Sequence, residues 1–255
     1  MEIFDSHCHL DDERFEGDLE NVFARMGEFE VKYCLCPGSD LPSSRRVIAL
    51  AQEHPFIWAA AGVHPHEAKD VPEDYLGQLR EMLAMPRVQA LGEIGLDYYY
   101  DLSPRDVQMK VMDEQLQLAL ETDKPVIFHI RDAHGDMADY LRSLAHRPRG
   151  IIHCFTGSAE MAKVYVKMGF YISFSGSLTF KKAPNLWEAA KVIPPERLLV
   201  ETDSPYLAPE PRRGRRNEPG YTRYVLEKLA ALKEMDTEEL AAVTTENARK
   251  IYGIA

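Results

Sequence analysis

The sequence predicts an α/β fold of the TIM (β/α)8 barrel class. Three observations predict it. Eight short apolar runs recur along the chain, amphipathic helical stretches separate them, and no G-x-G-x-x-G turn follows the first run. Alternating strands and helices make a parallel sheet, and eight strands favour closure over an open doubly wound sheet. The runs mostly lack polar alternation, as strands covered on both faces do.

The strand candidates are 2–8, 31–36, 57–63, 88–93, 126–130, 150–154, 170–174 and 198–201. Helical patterns fill the intervals at 18–28, 43–53, 73–84, 105–121, 132–145, 159–168 and 183–191, and two more, 221–234 and 237–252, close the chain. Ser103 before Pro104 reads as an N-cap followed by proline at the first helical position. Thr237 before Glu238 and Glu239 marks another helix start, with carboxylates in the first turn. No fixed-period repeat or linker interrupts the rhythm, so one domain over residues 1–255 is expected.

Composition narrows the function classes. With 255 residues, 45% hydrophobic and 28% charged, the chain can bury a substantial core. Glycine (15) and proline (16) are too few for a collagen-like or wholly disordered chain. No apolar run approaches the roughly 18 residues of a membrane span. Met1-Glu2-Ile3-Phe4-Asp5 offers neither a basic nor an apolar leader region, so a cytoplasmic protein is expected. Thirty basic against 41 acidic side chains give a net charge of −11, which argues against a broad basic face for coating DNA. Cys8, Cys34, Cys36 and Cys154 form no CxxC pair and fall in apolar runs, so they are expected reduced and packed.

Chemistry gathers at the strand ends. His7 and His9 flank Cys8, and period-two alternation turns both imidazoles to one side. Glu93, His129, His153 and Asp203 end the fourth, fifth, sixth and eighth strands. Parallel barrel strands converge at their C-terminal ends, where sites are built. Imidazoles and carboxylates together suit one or two divalent cations. His64 and His66 lie just past the third strand and are candidates for substrate contact, an accessory metal or structural hydrogen bonds. His54 and His146 read as solvated, and His134 as a surface or supporting group. Arg131 lies two residues past His129 on the same face, placed for a phosphate or an ion pair. Glu201, one layer below Asp203, is expected to orient a ligand rather than be one. Arg212-Arg213-Gly214-Arg215-Arg216 is a local basic patch, with Arg213 and Arg215 the candidate phosphate contacts. Tyr98, Tyr99 and Tyr100 follow the fourth strand and are placed either to stack bases or to pack the loop.

These stretches resemble the TatD family of metal-dependent deoxyribonucleases, a branch of the amidohydrolase-like barrels. The matching segments run from Asp5-Ser6-His7-Cys8-His9-Leu10 through Gly62-Val63-His64-Pro65-His66 and Gly92-Glu93-Ile94-Gly95-Leu96-Asp97-Tyr98. They continue with Phe128-His129-Ile130-Arg131, His153-Cys154-Phe155-Thr156-Gly157 and Glu201-Thr202-Asp203-Ser204-Pro205-Tyr206-Leu207. Arg213-Gly214 and Asn217-Glu218-Pro219 complete them.

The resemblance implies two divalent cations per subunit, of magnesium, manganese or zinc. His7, His9 and Asp203 would hold one, His129 and His153 the other, and Glu93 would bridge them. It also implies hydrolysis of DNA phosphodiesters at a single strand or 3′ end, with Asp203 and Glu93 in catalytic roles. The alternative is an amide, lactone or ester hydrolase of a small molecule on the same barrel. No membrane partner is expected, and the oligomeric expectation is a monomer or weak oligomer.

Overall fold

The computed structural model describes residues 1–254. In chain order, its first half carries β1 (Ile3–Asp5), α1 (Leu19–Glu28), β2 (Val31–Pro37), α2 (Leu41–Glu53), β3 (Ile57–Ala61), α3 (Tyr75–Leu83), β4 (Val88–Asp97) and α4 (Arg105–Thr122). The second half carries β5 (Val126–Arg131), α5 (His134–Ser143), β6 (Gly150–Ile152), α6 (Ala159–Lys167), β7 (Tyr171–Phe174), α7 (Pro184–Val192), β8 (Leu198–Val200), α8 (Thr222–Lys233) and α9 (Thr237–Tyr252). The strands succeed one another in an eight-stranded sheet in the order β1 to β8. Pairing is parallel for β1 with β2, β3 with β4, β4 with β5, β5 with β6 and β7 with β8. This is the (β/α)8 class expected from the sequence. Among the described residues, no helix is long and apolar enough to cross a membrane.

Two compact units divide the chain: Met1–Cys36 with Cys154–Ala255, and Pro37–His153. In the first, Ile3, Phe4, Leu35, Ile172, Phe174 and Leu199 are buried strand residues, and α1, α8 and α9 contribute Val22, Leu229 and Leu240. In the second, Ala59, Ala60, Leu91, Ile94, Ile127 and Phe128 fill the strands. Its α4 also buries two polar side chains, Gln108 and Gln115. Gln115 accepts from the Val63 N–H at 2.7 Å and donates to the Val63 carbonyl at 3.0 Å. Gln108 accepts from the Asp97 N–H at 2.8 Å and donates to the Ser103 carbonyl at 2.8 Å. These amides satisfy main-chain groups at and beyond the strand ends, where an unpaired buried group would be costly.

Several boundaries differ from expectation. The first strand stops at Asp5, short of the histidines. The buried Asp5 carboxylate turns the chain by accepting from the N–H groups of His7 at 3.3 Å and Thr202 at 2.9 Å and from the Thr202 hydroxyl at 2.6 Å. The fourth strand, expected to end at 93, runs on to Asp97. Ser103 does not cap α4, whose preceding residue is Pro104. Its buried hydroxyl instead accepts from the Lys69 N–H at 3.1 Å and donates to the His66 carbonyl at 2.8 Å. α9 begins at Thr237 as expected, and Asp236 caps it through the Glu238 and Glu239 N–H groups.

Candidate metal centre

In the unit of Met1–Cys36 with Cys154–Ala255, main-chain bonds set the donors. Beyond the ends of β1 and β8 the chains stay in register: Ser6 N–H donates to the Val200 carbonyl at 3.0 Å, Asp203 N–H to that of His7 at 2.9 Å, and His9 N–H to that of Ser204 at 2.7 Å. Cys8 and Ser204 form an isolated parallel bridge. This extended geometry carries the side-chain alternation past the strand. His7 Nε2 and His9 Nε2 stand 3.2 Å apart, and Asp203 Oδ1 lies 3.8 Å and 3.4 Å from them. Cys8 points the other way, its Sγ 3.6 Å from Cys36 Sγ. Cys34 joins them; all three are buried and unbridged, packed as expected. Glu201, fully buried, accepts from the Cys154 N–H at 2.7 Å, so it fixes the main chain after β6.

In the unit Pro37–His153, carboxylates set the donors. Glu93 Oε1 lies 2.6 Å from His153 Nε2, 2.9 Å from His129 Nδ1 and 3.6 Å from His64 Nε2. The His129 and His153 nitrogens are 3.3 Å apart. On its other side His129 Nε2 meets Asp97 Oδ2 at 3.0 Å, and His66 Nε2 meets the same oxygen at 2.8 Å. Asp97 Oδ1 accepts the N–H groups of Tyr99 at 3.0 Å and Tyr100 at 2.8 Å. β4 reaches β5 closely here because residue 95 is glycine. It pairs with His129 at φ +148°, and an added Cβ would lie 1.9 Å from the His129 carbonyl oxygen.

Ionisation follows from these contacts. Burial pushes the Asp97 carboxyl up, but hydrogen bonds from His129, His66 and the Tyr100 N–H outweigh it and hold the group well below the usual carboxylate range. Burial works against a charge on His129, yet Asp97 and Glu93 raise its pKa. Burial, reinforced by the positive charge of neighbouring His129, holds His64 well below the ordinary histidine value. His64 Nδ1 accepts from the His66 N–H at 3.1 Å, so its proton sits on Nε2, toward Glu93. That tautomer turns an N–H rather than a lone pair toward Glu93, 3.6 Å away, and leaves His64 ill suited as a ligand there.

Both donor sets have the donor chemistry of a divalent-cation site, imidazole with carboxylate. Bonds of about 2.0–2.2 Å to nitrogen and oxygen place tetrahedral ligands about 3.3–3.6 Å apart. The separations in the first set are 3.2, 3.4 and 3.8 Å. The second set, Glu93 with His129 and His153, stands at 2.6, 2.9 and 3.3 Å, so Glu93 is drawn to hydrogen-bonding distance of both imidazoles, closer than ligands spread around one ion.

The sequence reading missed Asp97, whose carboxylate meets both His129 and His66. A signal was present: Asp97 stands four residues after Glu93, an even spacing that shares a strand face. The arginine patch divides. Arg212 lies over the rings of Tyr221 (5.2 Å) and Tyr224 (5.9 Å). Arg216 pairs with Asp18 and Glu218, and Arg213 lies 3.9 Å over Phe180. Arg215 is exposed.

Comparison with known proteins gives a consistent result. The TatD related DNase family matches residues 4–253. An uncharacterized metal-dependent hydrolase of Bacillus subtilis strain 168, YabD, is 46% identical over 253 residues, 99% of each chain. A protein of Citrobacter rodentium named 3′-5′ ssDNA/RNA exonuclease TatD is 36% identical over 259 residues, covering 99% of this chain and 98% of its own. The crystal structure of YJJV, a TatD homologue of Escherichia coli K12, superposes with a TM-score of 0.93 at 31% identity, over 99% of this chain and 98% of that one.

Proposed function

The chain belongs to the TatD family and is a metal-dependent hydrolase; from that premise we propose that it is a deoxyribonuclease that shortens single-stranded DNA from a 3′ end. Residues 1–255 act as one catalytic domain in the cytoplasm, with two divalent cations per subunit. His7, His9 and Asp203 hold one cation, and Glu93, His129 and His153 hold the other. Cations so placed supply Lewis acidity toward a phosphodiester and make water a better nucleophile. Asp203 is the proton acceptor. Its side chain is 16% exposed against 4% for Glu93, so among the proposed carboxylate ligands it is the one that water reaches. Glu93 keeps His129 and His153 aimed together. Arg131 and Arg215 are the phosphate contacts.

The observation that carries this reading is the pair of donor sets, each combining imidazole with carboxylate. The exonuclease name of the Citrobacter rodentium relative supports the substrate. The test is turnover of 3′-labelled single-stranded DNA beside RNA, esters, lactones and amides. The protein is first stripped with chelator, then given magnesium, manganese or zinc. Chelator-sensitive release of 3′ nucleotides is expected. Fast turnover of a lactone or amide with inert DNA would replace it with the small-molecule reading.

A further inference from the structure

Tyr99 and Tyr100, in the turn after β4, are 58% and 53% exposed. Adjacent aromatic rings left in water are an unfavourable arrangement that binding relieves. Their neighbour Tyr98 is used differently: its hydroxyl donates to Asp136 at 2.9 Å, and the Arg105 guanidinium covers its ring at 4.2 Å. The turn that presents the pair is held from below. One oxygen of fully buried Asp97 accepts both tyrosine N–H groups, and the other engages His129 and His66. A single carboxylate thereby fixes a proposed cation ligand and the loop carrying the exposed rings. The Tyr100 ring lies 5.4 Å from that of His66, and the two tyrosines meet edge to face at 4.9 Å. The Arg131 guanidinium sits 4.3 Å over Tyr99 and 5.0 Å over Tyr100.

We infer that Tyr99 and Tyr100, backed by Arg131, form a stacking platform for an unpaired base of the strand being cleaved, an inference that rests on the nuclease reading. Aromatic faces take any base, because every base has a π-face. The guanidinium suits the adjoining phosphate. A base inside a duplex has both faces covered by its neighbours, so the platform selects single strands.

The test uses single-stranded oligonucleotides that differ only in whether the 3′-terminal nucleotide carries a base or is abasic. The intact protein is expected to show a KM about 5- to 150-fold lower for the base-bearing strand. The double variant Tyr99→Ala, Tyr100→Ala should lose that discrimination, and Tyr99→Phe, Tyr100→Phe should keep it. An alanine variant that discriminates as well as the intact protein overturns the platform. Quenching of a 3′-terminal 2-aminopurine reports stacking without turnover. If neither strand is cleaved, quenching that the alanine variant abolishes still supports the platform while the nuclease reading falls. Absence of quenching by the intact protein overturns the platform itself.

Discussion

The two units build donor sets by different means. In Met1–Cys36 with Cys154–Ala255, backbone hydrogen bonds past the strand ends place His7, His9 and Asp203, and the donors stand 3.2–3.8 Å apart. In Pro37–His153, two carboxylates draw four imidazoles inward, and Glu93 comes within 2.6 Å of His153. Apart from Asp5, whose carboxylate turns the chain before His7, a backbone-positioned set tolerates changes in neighbouring side chains, because the scaffold is common to any residue. A set positioned by carboxylates depends on residues that touch no cation. The contrast therefore predicts unequal sensitivity to substitution outside the ligands.

The largest effects remove a proposed ligand carboxylate from either side. Asp203→Asn and Glu93→Gln are each expected to lower kcat about 10²–10⁴-fold, the range for a lost acid–base group. Circular dichroism should be unchanged. The two should differ in metal content, measured by mass spectrometry after dialysis. Glu93→Gln deprives His129 and His153 of their shared anion, so it should shed metal more readily than Asp203→Asn. Equal metal retention would erase the proposed difference between the units.

Asp97→Asn sharpens the contrast. It leaves every proposed ligand in place but replaces the anion that accepts from His129 with a neutral amide. Loss of such an orienting partner weakens metal affinity about 10–100-fold. Calorimetric titration of the stripped protein should show one class of site weakened and the other unmoved. A parallel loss in both classes would mean that Asp97 does not act through the Pro37–His153 donors alone.

The same contrast explains what the sequence disclosed. The H-x-H pattern revealed His7 and His9 although β1 ends at Asp5, because the Cys8–Ser204 bridge prolongs extended backbone through them. Glu93, His129, His153 and Asp203 were legible as polar groups closing apolar runs. Asp97 escaped because the fourth strand was expected to end at Glu93. Gly95 is instead the point where β4 continues against His129, and it must lack a Cβ to do so. Ser103 carried the right cap signature beside Pro104, yet tertiary partners at Lys69 and His66 claimed its hydroxyl. Spacing also could not show which arginines of 212–216 are committed to ion pairs and rings, since Asp18 and Tyr224 are distant in sequence.

A smaller effect concerns acid stability in Pro37–His153. His134, the first residue of α5, has its pKa pushed down to about 4 by burial, with Asp132 opposing. The positive end of the helix also disfavours an imidazolium there. In the unfolded chain the group titrates near 6.5, so on acidification the unfolded state takes up a proton first. Stability from this residue is full above about pH 6.5, is lost as pH falls toward 4, and is flat below. His134→Phe should remove that loss, on the order of 2 kcal/mol, from urea midpoints compared at pH 7 and pH 4.5. An unaltered pH profile would assign the acid sensitivity to the donor sets instead.

The smallest effect lies in the arginine loop of the other unit. If DNA is the substrate, each phosphate contact adds about 0.7 to the magnitude of the log–log salt slope on a single strand. Arg215 is exposed, so Arg215→Ala should flatten that slope by about one contact and raise KM for DNA a few-fold. Arg213 already stacks on Phe180, so adding Arg213→Ala should contribute less. Arg216 pairs with Asp18 and Glu218 and donates to the Arg14 carbonyl at 2.6 Å. Its alanine variant should leave the slope unchanged and lower stability by about 1 kcal/mol, in keeping with partly exposed pairs. Kinetics with bis-(p-nitrophenyl) phosphate, too small to reach the loop, should be the same for Arg215→Ala as for the intact protein. A slope that responds to Arg216 and ignores Arg215 would reverse the division between structural and phosphate-facing arginines.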